Sequence, residues 1–354
     1  MRLVLYPFSV LYAIVTNLRN LLFDIGIFPS KTFDIPTICI GNLSVGGTGK
    51  TPLSSYIISI LEEKNIAVLS RGYGRNTTAY REVSSKSEAK KVGDEPLLLK
   101  QKHPNCLVAV NENRKKGIEK ILKSYQEIDV ILLDDGFQHR SVKAGLNILV
   151  TDYNLPYYKD FLLPMGTLRE SKKGSQRADI IVVSKSPNEI NPTEKKGIIQ
   201  QLGVFITQKC YFSQIQYKNW KCITTNENLL VQERYSITLV TGIADPSSLL
   251  ENLTENEHSI SHLRYADHHN YTLKDIEDIL TKYNQDNSAK KLILTTEKDA
   301  VKLRGFEKEL GDANVYSAPI ETIFEEKENF EKQILNYVTA NKRNSLFSRR
   351  KNKF

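Results

Sequence analysis

Cysteine is scarce in this chain, with four residues (Cys39, Cys106, Cys210 and Cys222) that stand far apart and form no CxxC pair. Zinc ribbons and small disulfide scaffolds are therefore excluded, and the usage fits a reducing compartment. Only 18 glycines and 12 prolines occur among 354 residues, which excludes collagen and Pro/Gly-rich disorder. With 40% hydrophobic and 25% charged residues, the chain is globular, and its length predicts two domains at roughly 100–200 residues each.

Acidic residues are missing from the carboxyl-terminal end. Residues 341–354 contain six basic residues and no acid. Without those six, the balance of 49 basic and 41 acidic residues falls to 43 against 41, so the folded body is nearly neutral. A nearly neutral body argues against a nucleic-acid partner. The basic tail is either a solvated end or a contact for anionic lipid, where each clustered Lys or Arg adds about 1 kcal/mol.

Charge is also absent from residues 3–18, LVLYPFSVLYAIVTNL. Sixteen residues fall short of the roughly 20 that span a bilayer, and no small-x-small cleavage site follows. We therefore expect residues 1–24 to form a helix in the membrane interface, with its aromatic and leucine side chains as the anchor. The alternative is a first helix packed against the domain.

Short apolar runs alternate with helical patterns along most of the chain. In the first half, the predicted strands are 35–40, 66–70, 105–110, 129–133, 146–151 and 179–184, and the predicted helices are 52–63 and 112–124. In the second half, the predicted strands are 236–242, 291–296 and 314–320, and the predicted helices start at Pro246 and cover 297–304 and 321–338. Such alternation indicates parallel sheets covered on both faces. Residues 206–231 alternate polar and apolar positions and are interpreted as a β-ribbon linker.

The strongest motif is GNLSVGGTGKT, residues 41–51, which follows a predicted strand and opens a predicted helix. Backbone N–H groups of such a turn surround phosphate oxygens, the lysine reaches the β- and γ-phosphates, and the threonine hydroxyl binds Mg²⁺. The predicted nucleotide-binding residues are Ser44, Val45, Gly46, Gly47, Thr48, Gly49, Lys50 and Thr51. Ser44 replaces the first glycine of the standard pattern. A merely structural turn would not need the Lys-Thr pair.

A second motif, DDGFQH, lies at residues 134–139, directly after the predicted strand 129–133. An acid at the carboxyl end of a parallel strand is where Mg²⁺ is held against a triphosphate. Asp134 and Asp135 are therefore candidates, with a simple paired-Asp turn as the alternative. His139 fits a local hydrogen-bonding group as well as it fits a catalytic residue.

Several further groups are weak signals when taken alone. Tyr73 lies in the loop SRGYGR, Asp94 in VGDEP, Arg114 in NENR, and Arg169 and Glu170 in PMGTLRE. Each is as often a helix cap or a surface ion pair as a site residue. The adjacent His268 and His269 follow Asp267, but they project in different directions and no second cluster supports zinc.

Taken together and in this order, these motifs resemble the tetraacyldisaccharide 4'-kinases, the lipid A 4'-kinases of Gram-negative bacteria. The resemblance extends from the apolar amino-terminal segment to about residue 320, and a serine at position 44 is typical of that family. Together with the strand and helix pattern, we expect a P-loop NTPase-like α/β core at 25–205, a β-ribbon linker at 206–235 and a smaller α/β domain at 236–340. The basic tail at 341–354 has no counterpart in that family.

The resemblance also implies an activity and residue roles. Such enzymes transfer the γ-phosphate of ATP to the 4'-hydroxyl of an acylated glucosamine disaccharide 1-phosphate at the cytoplasmic face of the inner membrane, without an obligatory protein partner. The implied catalytic residues are Asp94 as the base, His268 as its partner, Lys50 and Asp134. The implied Mg²⁺ ligands are Thr51, Asp135 and Glu170, and the implied further contacts to the nucleotide or phosphoryl group are Tyr73, Arg114 and Arg169. His269 could replace His268 on sequence grounds. A membrane-tethered P-loop switch protein is the alternative, although a guanine-reading NKxD motif is not found.

Overall fold

Two sheets rich in parallel strands organise the chain. The computed structural model describes the backbone of residues 2–351 and the side chains of residues 4–341. From edge to edge, the first sheet contains β15 (Ile320–Phe324), β8 (Lys209–Tyr217), β7 (Ile180–Ser184), β6 (Leu146–Asp152), β1 (Thr37–Gly41), β5 (Val130–Leu133), β2 (Ile66–Ser70), β4 (Leu107–Val110) and β3 (Arg81–Glu82). All neighbours are parallel except β3 against β4 and β15 against β8.

Helices cover both faces of this first sheet. They are α2 (Lys50–Ile60), α3 (Ala89–Val92), α4 (Asp94–Lys102), α5 (Arg114–Ser124), α6 (Pro192–Leu202) and α11 (Lys327–Lys351). Helix α1 (Tyr6–Asp24) instead contacts the loops that follow β5 and β6. Every residue of β1, β2 and β5 is buried, which explains why these strands are continuous apolar runs in the sequence. The predicted α/β class with a parallel core is confirmed.

The second sheet is smaller. Its order is β10 (Asn228–Leu229), β9 (Trp220–Cys222), β14 (Val315–Ala318), β13 (Lys291–Thr296), β11 (Ser236–Thr241) and β12 (Ser259–Arg264). Its helices are α7 (Ser247–Glu255), α8 (Leu273–Gln285), α9 (Glu297–Leu303) and α10 (Glu307–Leu310). A Thr272–Asp275 capping box starts α8, and a separate apolar cluster fills this unit.

The segment predicted as a ribbon linker, 206–235, is divided between the two sheets. β8 pairs in parallel with β7, whereas β9 and β10 form a hairpin on the edge of the second sheet. Alternating polarity suits both roles, because successive side chains of a strand point to opposite faces of its sheet. The linker is therefore not an independent ribbon.

The carboxyl-terminal boundary also differs from the prediction. Residues 321–324 belong to strand β15, not to a helix, and α11 begins only at Lys327. The sequence IETIF is rich in β-branched residues and completes the first sheet beside β8. The Tyr337 hydroxyl accepts from Thr37 N at 3.0 Å and donates to Thr37 O at 3.1 Å. The end of the chain therefore returns to the first unit.

The predicted basic tail overlaps the end of α11, whose backbone continues to Lys351. Side chains from residue 342 onwards lie outside the described residues, and so do both alternatives for the tail, a solvated end and a contact with anionic lipid.

Candidate active site

The loops that follow β1, β2, β4 and β5 meet at the carboxyl edge of the first sheet, where parallel α/β folds place their sites. The phosphate-binding loop after β1 turns through Gly46 and Gly49, whose φ angles are +103° and +82°. A side chain on Gly49 would lie 3.3 Å from Ser184 Cβ, so that position needs glycine for both its space and its conformation.

Polar side chains fix this loop from behind. Asn42 Nδ2 donates to Thr48 Oγ1 at 2.8 Å, and Ser184 Oγ donates to Thr48 O at 2.7 Å. Val45 N donates to Thr167 O at 2.8 Å, so the loop after β6 braces the other side. Lys50 and Thr51 open α2, where a helix N-terminus favours bound anions.

The two aspartates after β5 differ in environment. Asp135 lies 3.7 Å from the Lys50 ammonium and accepts from Arg169 at 2.8 and 3.1 Å. Burial opposes its charge, but Lys50 and Arg169 together hold the pKa of Asp135 well below its usual range. Asp135 is therefore ionised beside Lys50. Its φ of +47° lies in the left-handed region of the backbone.

Asp134 lies deeper than Asp135. It is 1% exposed and accepts from Ser54 Oγ at 2.8 Å. Burial, followed by the nearby charge of Glu95, raises the pKa of Asp134 to about 6. The structure therefore places Asp134 behind Asp135, where it orients α2.

Arg169 and Glu170 lie in the loop that faces Asp135. Besides contacting Asp135, Arg169 donates to Asn42 Oδ1. The Glu170 carboxylate accepts four side-chain hydrogen bonds. Arg177 donates to each oxygen at 2.9 Å, and Gln138 and Asn20 each donate at 2.9 Å. Direct metal ligation by Glu170 would require it to release some of these donors.

Arg114 lies beside the two aspartates that follow β5. Its side chain is 0% exposed and donates to the main-chain oxygens of Asn111, Asp134 and Asp135, at 2.6, 3.2 and 3.4 Å. The guanidinium is enclosed in this conformation, and its contact with the nucleotide or phosphoryl group stays a prediction. Arg114 holds together the loops after β4 and β5.

The structure brings Asp94 and His268 together although they are 174 residues apart, with Asp94 Oδ2 3.0 Å from His268 Nδ1. Asp94 starts α4 after Gly93 (φ +93°), and a side chain on Gly93 would lie 3.0 Å from Gly72 Cα. Close glycine packing therefore seats Asp94 against the loop after β2. His268 has φ +58°, and Tyr73 packs on its ring at a centroid distance of 5.0 Å.

The protonation of this pair follows from its surroundings. Burial would raise the pKa of Asp94, but the hydrogen bond from His268 and the ammonium of Lys298 lower it to about 2. For His268, burial alone would lower the pKa, yet the hydrogen bond and charge of Asp94 raise it. His269 is not part of the pair, because it contacts Asp275 at 3.0 Å and stacks on Tyr265.

His139, the last residue of DDGFQH, is a neutral group. Burial, followed by the charges of Arg114 and Arg71, lowers its pKa to about 3. Its backbone N–H donates to Gly136 O at 2.8 Å, which is typical of a turn. A role as a proton-carrying acid near neutral pH is therefore not supported.

A Mg²⁺ ion bound with a nucleotide suits the Thr51 hydroxyl and the Asp135 carboxylate. Among the described side chains of residues 4–341, no three His, Cys, Asp or Glu side chains are placed to hold a metal by themselves. Mg²⁺ commonly uses only one or two protein oxygens together with substrate phosphates and water. The residues present therefore fit this ion as a companion of a nucleotide.

Helix α1 is connected directly to these loops. Tyr12 OH donates to Arg169 O at 2.9 Å, Arg19 donates to Gln138 O at 2.7 Å, and Asn20 contacts Glu170. Ser9 Oγ donates to Leu162 O and accepts from Met165 N, both at 3.0 Å. The polar stripe of this helix therefore faces the protein.

Comparisons with known proteins agree with this geometry. A family model described as tetraacyldisaccharide-1-P 4'-kinase matches residues 1–339. A tetraacyldisaccharide 4'-kinase from Bacteroides fragilis (strain YCH46) is 42% identical over 361 residues, covering 98% of this chain and 96% of the relative. A second, from Flavobacterium psychrophilum, is 42% identical over 350 residues, covering 97% of this chain and 99% of the relative. The solved structure of the Aquifex aeolicus LpxK in complex with ATP aligns with a TM-score of 0.74 at 30% identity, covering 95% of this chain and 99% of that chain. The chain therefore belongs to the tetraacyldisaccharide-1-P 4'-kinase family.

Proposed function

We propose that this protein transfers the γ-phosphate of ATP to the 4'-hydroxyl of a tetraacyldisaccharide 1-phosphate, which forms lipid IVA. The observation that carries the proposal is the hydrogen-bonded Asp94–His268 pair at the same sheet edge as the phosphate-binding loop. A switch protein that only hydrolyses nucleotide has no need for a carboxylate–imidazole pair shared between two units.

Phosphoryl transfer depends mainly on alignment and on charge neutralisation. The loop from Ser44 to Gly49 surrounds the phosphates with backbone N–H groups, and Lys50 neutralises the β- and γ-phosphates. Mg²⁺, held by Thr51 and Asp135, supplies further neutralisation when it is bound. Arg169, which already contacts Asp135, is placed to contact the transferring group.

A sugar hydroxyl is a poor nucleophile and needs a base. Asp94 accepts the 4'-hydroxyl proton, and His268 orients the carboxylate through its Nδ1–H. Because His268 belongs to the second unit, the base is complete only when α4 and α9 are packed together, as they are in this structure. Closure also excludes water, which limits wasteful hydrolysis of ATP.

The acceptor is a lipid, and helix α1 offers a surface for membrane contact. Its outward face exposes large apolar side chains, among them Phe8, Leu11 and Val15 at 61, 61 and 59%, while its polar stripe hydrogen-bonds to the protein. An ordinary surface helix has the opposite polarity. Phe161, 57% exposed in the neighbouring loop, extends the apolar surface.

This arrangement supports an interfacial placement of α1 at the cytoplasmic face of the inner membrane. Among residues 2–351, no helix has the length and the apolar character needed to cross a bilayer. Tyr12 and Asn20 contact residues 169 and 170, so membrane binding through α1 would bring the lipid acceptor close to the loop that carries Arg169.

The kinase proposal is tested by incubating the full chain with γ-labelled ATP and a tetraacyldisaccharide 1-phosphate in detergent micelles. We expect label in a new phosphate monoester of the disaccharide, and none with Lys50→Ala. Release of labelled inorganic phosphate alone, at the same rate with and without the acceptor, would contradict the proposal and favour a nucleotide-hydrolysing switch.

The membrane proposal is tested by flotation with vesicles of phosphatidylethanolamine and phosphatidylglycerol. Leu11→Glu with Leu18→Glu should reduce the bound fraction at least about 10-fold, because each buried leucine contributes about 1.5–3 kcal/mol. The matched control is Ile206→Glu with Leu230→Glu, which alters exposed apolar residues away from α1. Equal flotation of the two double variants would contradict the assignment of this face.

A further inference from the structure

The second unit contributes a cation to the Asp94–His268 pair. Lys298, the second residue of α9, lies 3.2 Å from His268 Nε2, on the opposite side of the ring from Asp94. Its ammonium is also 3.4 Å from Glu95 Oε1 and 3.5 Å from Asp267 Oδ1. Three donors of one ammonium therefore face three acceptors, one of them from the first unit.

We propose that Lys298 is a positioning residue that fixes His268 in its neutral Nδ1–H tautomer and thereby completes the base. This inference rests on the proposed function and adds a residue to the same site. It follows from the hydrogen-bonding inventory, because an ammonium group has only donors and Nε2 beside it must accept. The ring proton is then on Nδ1, where it is donated to Asp94 Oδ2 at 3.0 Å.

The charges around the pair show what Lys298 contributes to this protonation state. His268 faces Asp94, Lys298 and the Asp267 carboxylate, with Asp267 Oδ2 3.9 Å from Nε2. Asp94 faces a second lysine, Lys302, at 3.7 Å. Without Lys298, two carboxylates would flank the imidazole with no cation on its Nε2 side, which favours imidazolium. An imidazolium would hold Asp94 in an ion pair and make it a weaker base.

The position of Lys298 in its helix supports a specific role. A cation in the first turn of a helix opposes the helix dipole, and α9 begins at Glu297. Contacts with Glu95, Asp267 and His268 offset that cost. The side chain is 18% exposed, so these interactions are only weakly screened by solvent.

The test compares Lys298→Met and Lys298→Arg with Lys282→Met, which alters an exposed lysine of α8 in the same unit. In detergent micelles with ATP and the disaccharide acceptor, Lys298→Met should reduce kcat roughly 10- to 100-fold at pH 7. It should also move the acidic limb of the kcat–pH profile up by about one pH unit, because the neighbouring cation is lost. Lys298→Arg should keep most of the wild-type kcat and leave the acidic limb near its wild-type position. Lys282→Met should change neither kcat nor the acidic limb.

The outcomes separate this inference from the kinase proposal. An active wild-type enzyme whose acidic limb stays in place in Lys298→Met would overturn the role of Lys298 while leaving the kinase assignment intact. An inactive wild type would instead refute the assignment itself. If Lys298→Met does not fold, the ¹⁵N shifts of wild-type His268, assigned with His268→Gln, decide: Nδ1–H is expected, and a protonated Nε2 overturns the inference.

Discussion

The contact between Asp94 and His268 permits a quantitative prediction, because the two residues lie in different units and touch at one hydrogen bond. General acid–base assistance is worth roughly 10²–10⁴-fold in rate. Asp94→Asn and His268→Ala should therefore each reduce kcat by about that factor, while the Kd for ATP changes only a few fold. If the residues act as one unit, the double variant should be little worse than Asp94→Asn alone.

If the two residues acted independently, the double variant would lose far more kcat. The two losses would multiply to roughly 10⁴–10⁸-fold, so the coupling free energy that separates the two cases is about 3–5 kcal/mol. Steady-state kcat with the disaccharide acceptor, measured alongside ATP binding, gives this quantity directly. His269→Ala is the matched control, because His269 contacts Asp275 and not Asp94. Multiplicative losses, or a crippled His269→Ala with an active His268→Ala, would refute the reasoning.

Three further predictions concern the rest of the site. Lys50→Ala and Asp135→Asn should each lower kcat by roughly 10²-fold or more, as expected when a preorganised charge is removed, and near-wild-type turnover of either would contradict the phosphate-site assignment. Arg114→Met should lower the free energy of unfolding by roughly 2–4 kcal/mol in urea titrations, because charged hydrogen bonds to three buried carbonyl groups are lost; an effect on ATP affinity without loss of stability would show that Arg114 contacts nucleotide after all. Since the folded-state pKa of Asp94 is depressed to about 2, its ionised form stabilises the fold above its ordinary pKa of 3.8, and this contribution of about 2 kcal/mol is lost as the pH falls towards 2. Asp94→Asn should flatten the stability–pH curve in that window, and an unchanged slope would contradict the depressed pKa of Asp94.

Local motifs were the most predictable part of this chain. The phosphate-binding loop and the aspartates at 134 and 135 each follow a buried strand directly, so the sequence gives both their residue types and their position at the sheet edge. Parallel topology then brings the two loops together without further information. The α/β class is predictable for the same reason, since continuous apolar strands need covering on both faces.

Contacts between segments that are distant in the sequence were harder to predict. Physical reasoning from sequence has no way to join Asp94 to a histidine 174 residues away, and only the family resemblance suggested the pair. Lys298 and Lys302 lie in the sequence EKDAVK, which is typical of a solvated helix, yet both side chains are largely buried.

The burial of charged side chains was the hardest feature to predict from the sequence. Arg114 follows a strand at the expected edge, but its enclosure depends on carbonyl groups from another loop that have no sequence signature.

Strand β15 was missed because its five residues directly precede a strong helical pattern and are too few to show a period of their own. The apolar pattern of α1 predicts a helix in the membrane interface, and the structure adds that the polar stripe of this helix contacts the loop at 162–170.

The central claim is that the site phosphorylates a lipid-linked sugar and does not simply hydrolyse nucleotide. The most direct measurement is the rate of ADP formation by the full chain in detergent micelles, with and without a tetraacyldisaccharide 1-phosphate, together with the amount of phosphorylated disaccharide formed. We predict that ADP forms rapidly only with the acceptor and that one phosphorylated disaccharide accompanies each ADP. Equal rates with and without the acceptor, and no phosphorylated disaccharide, would contradict the account.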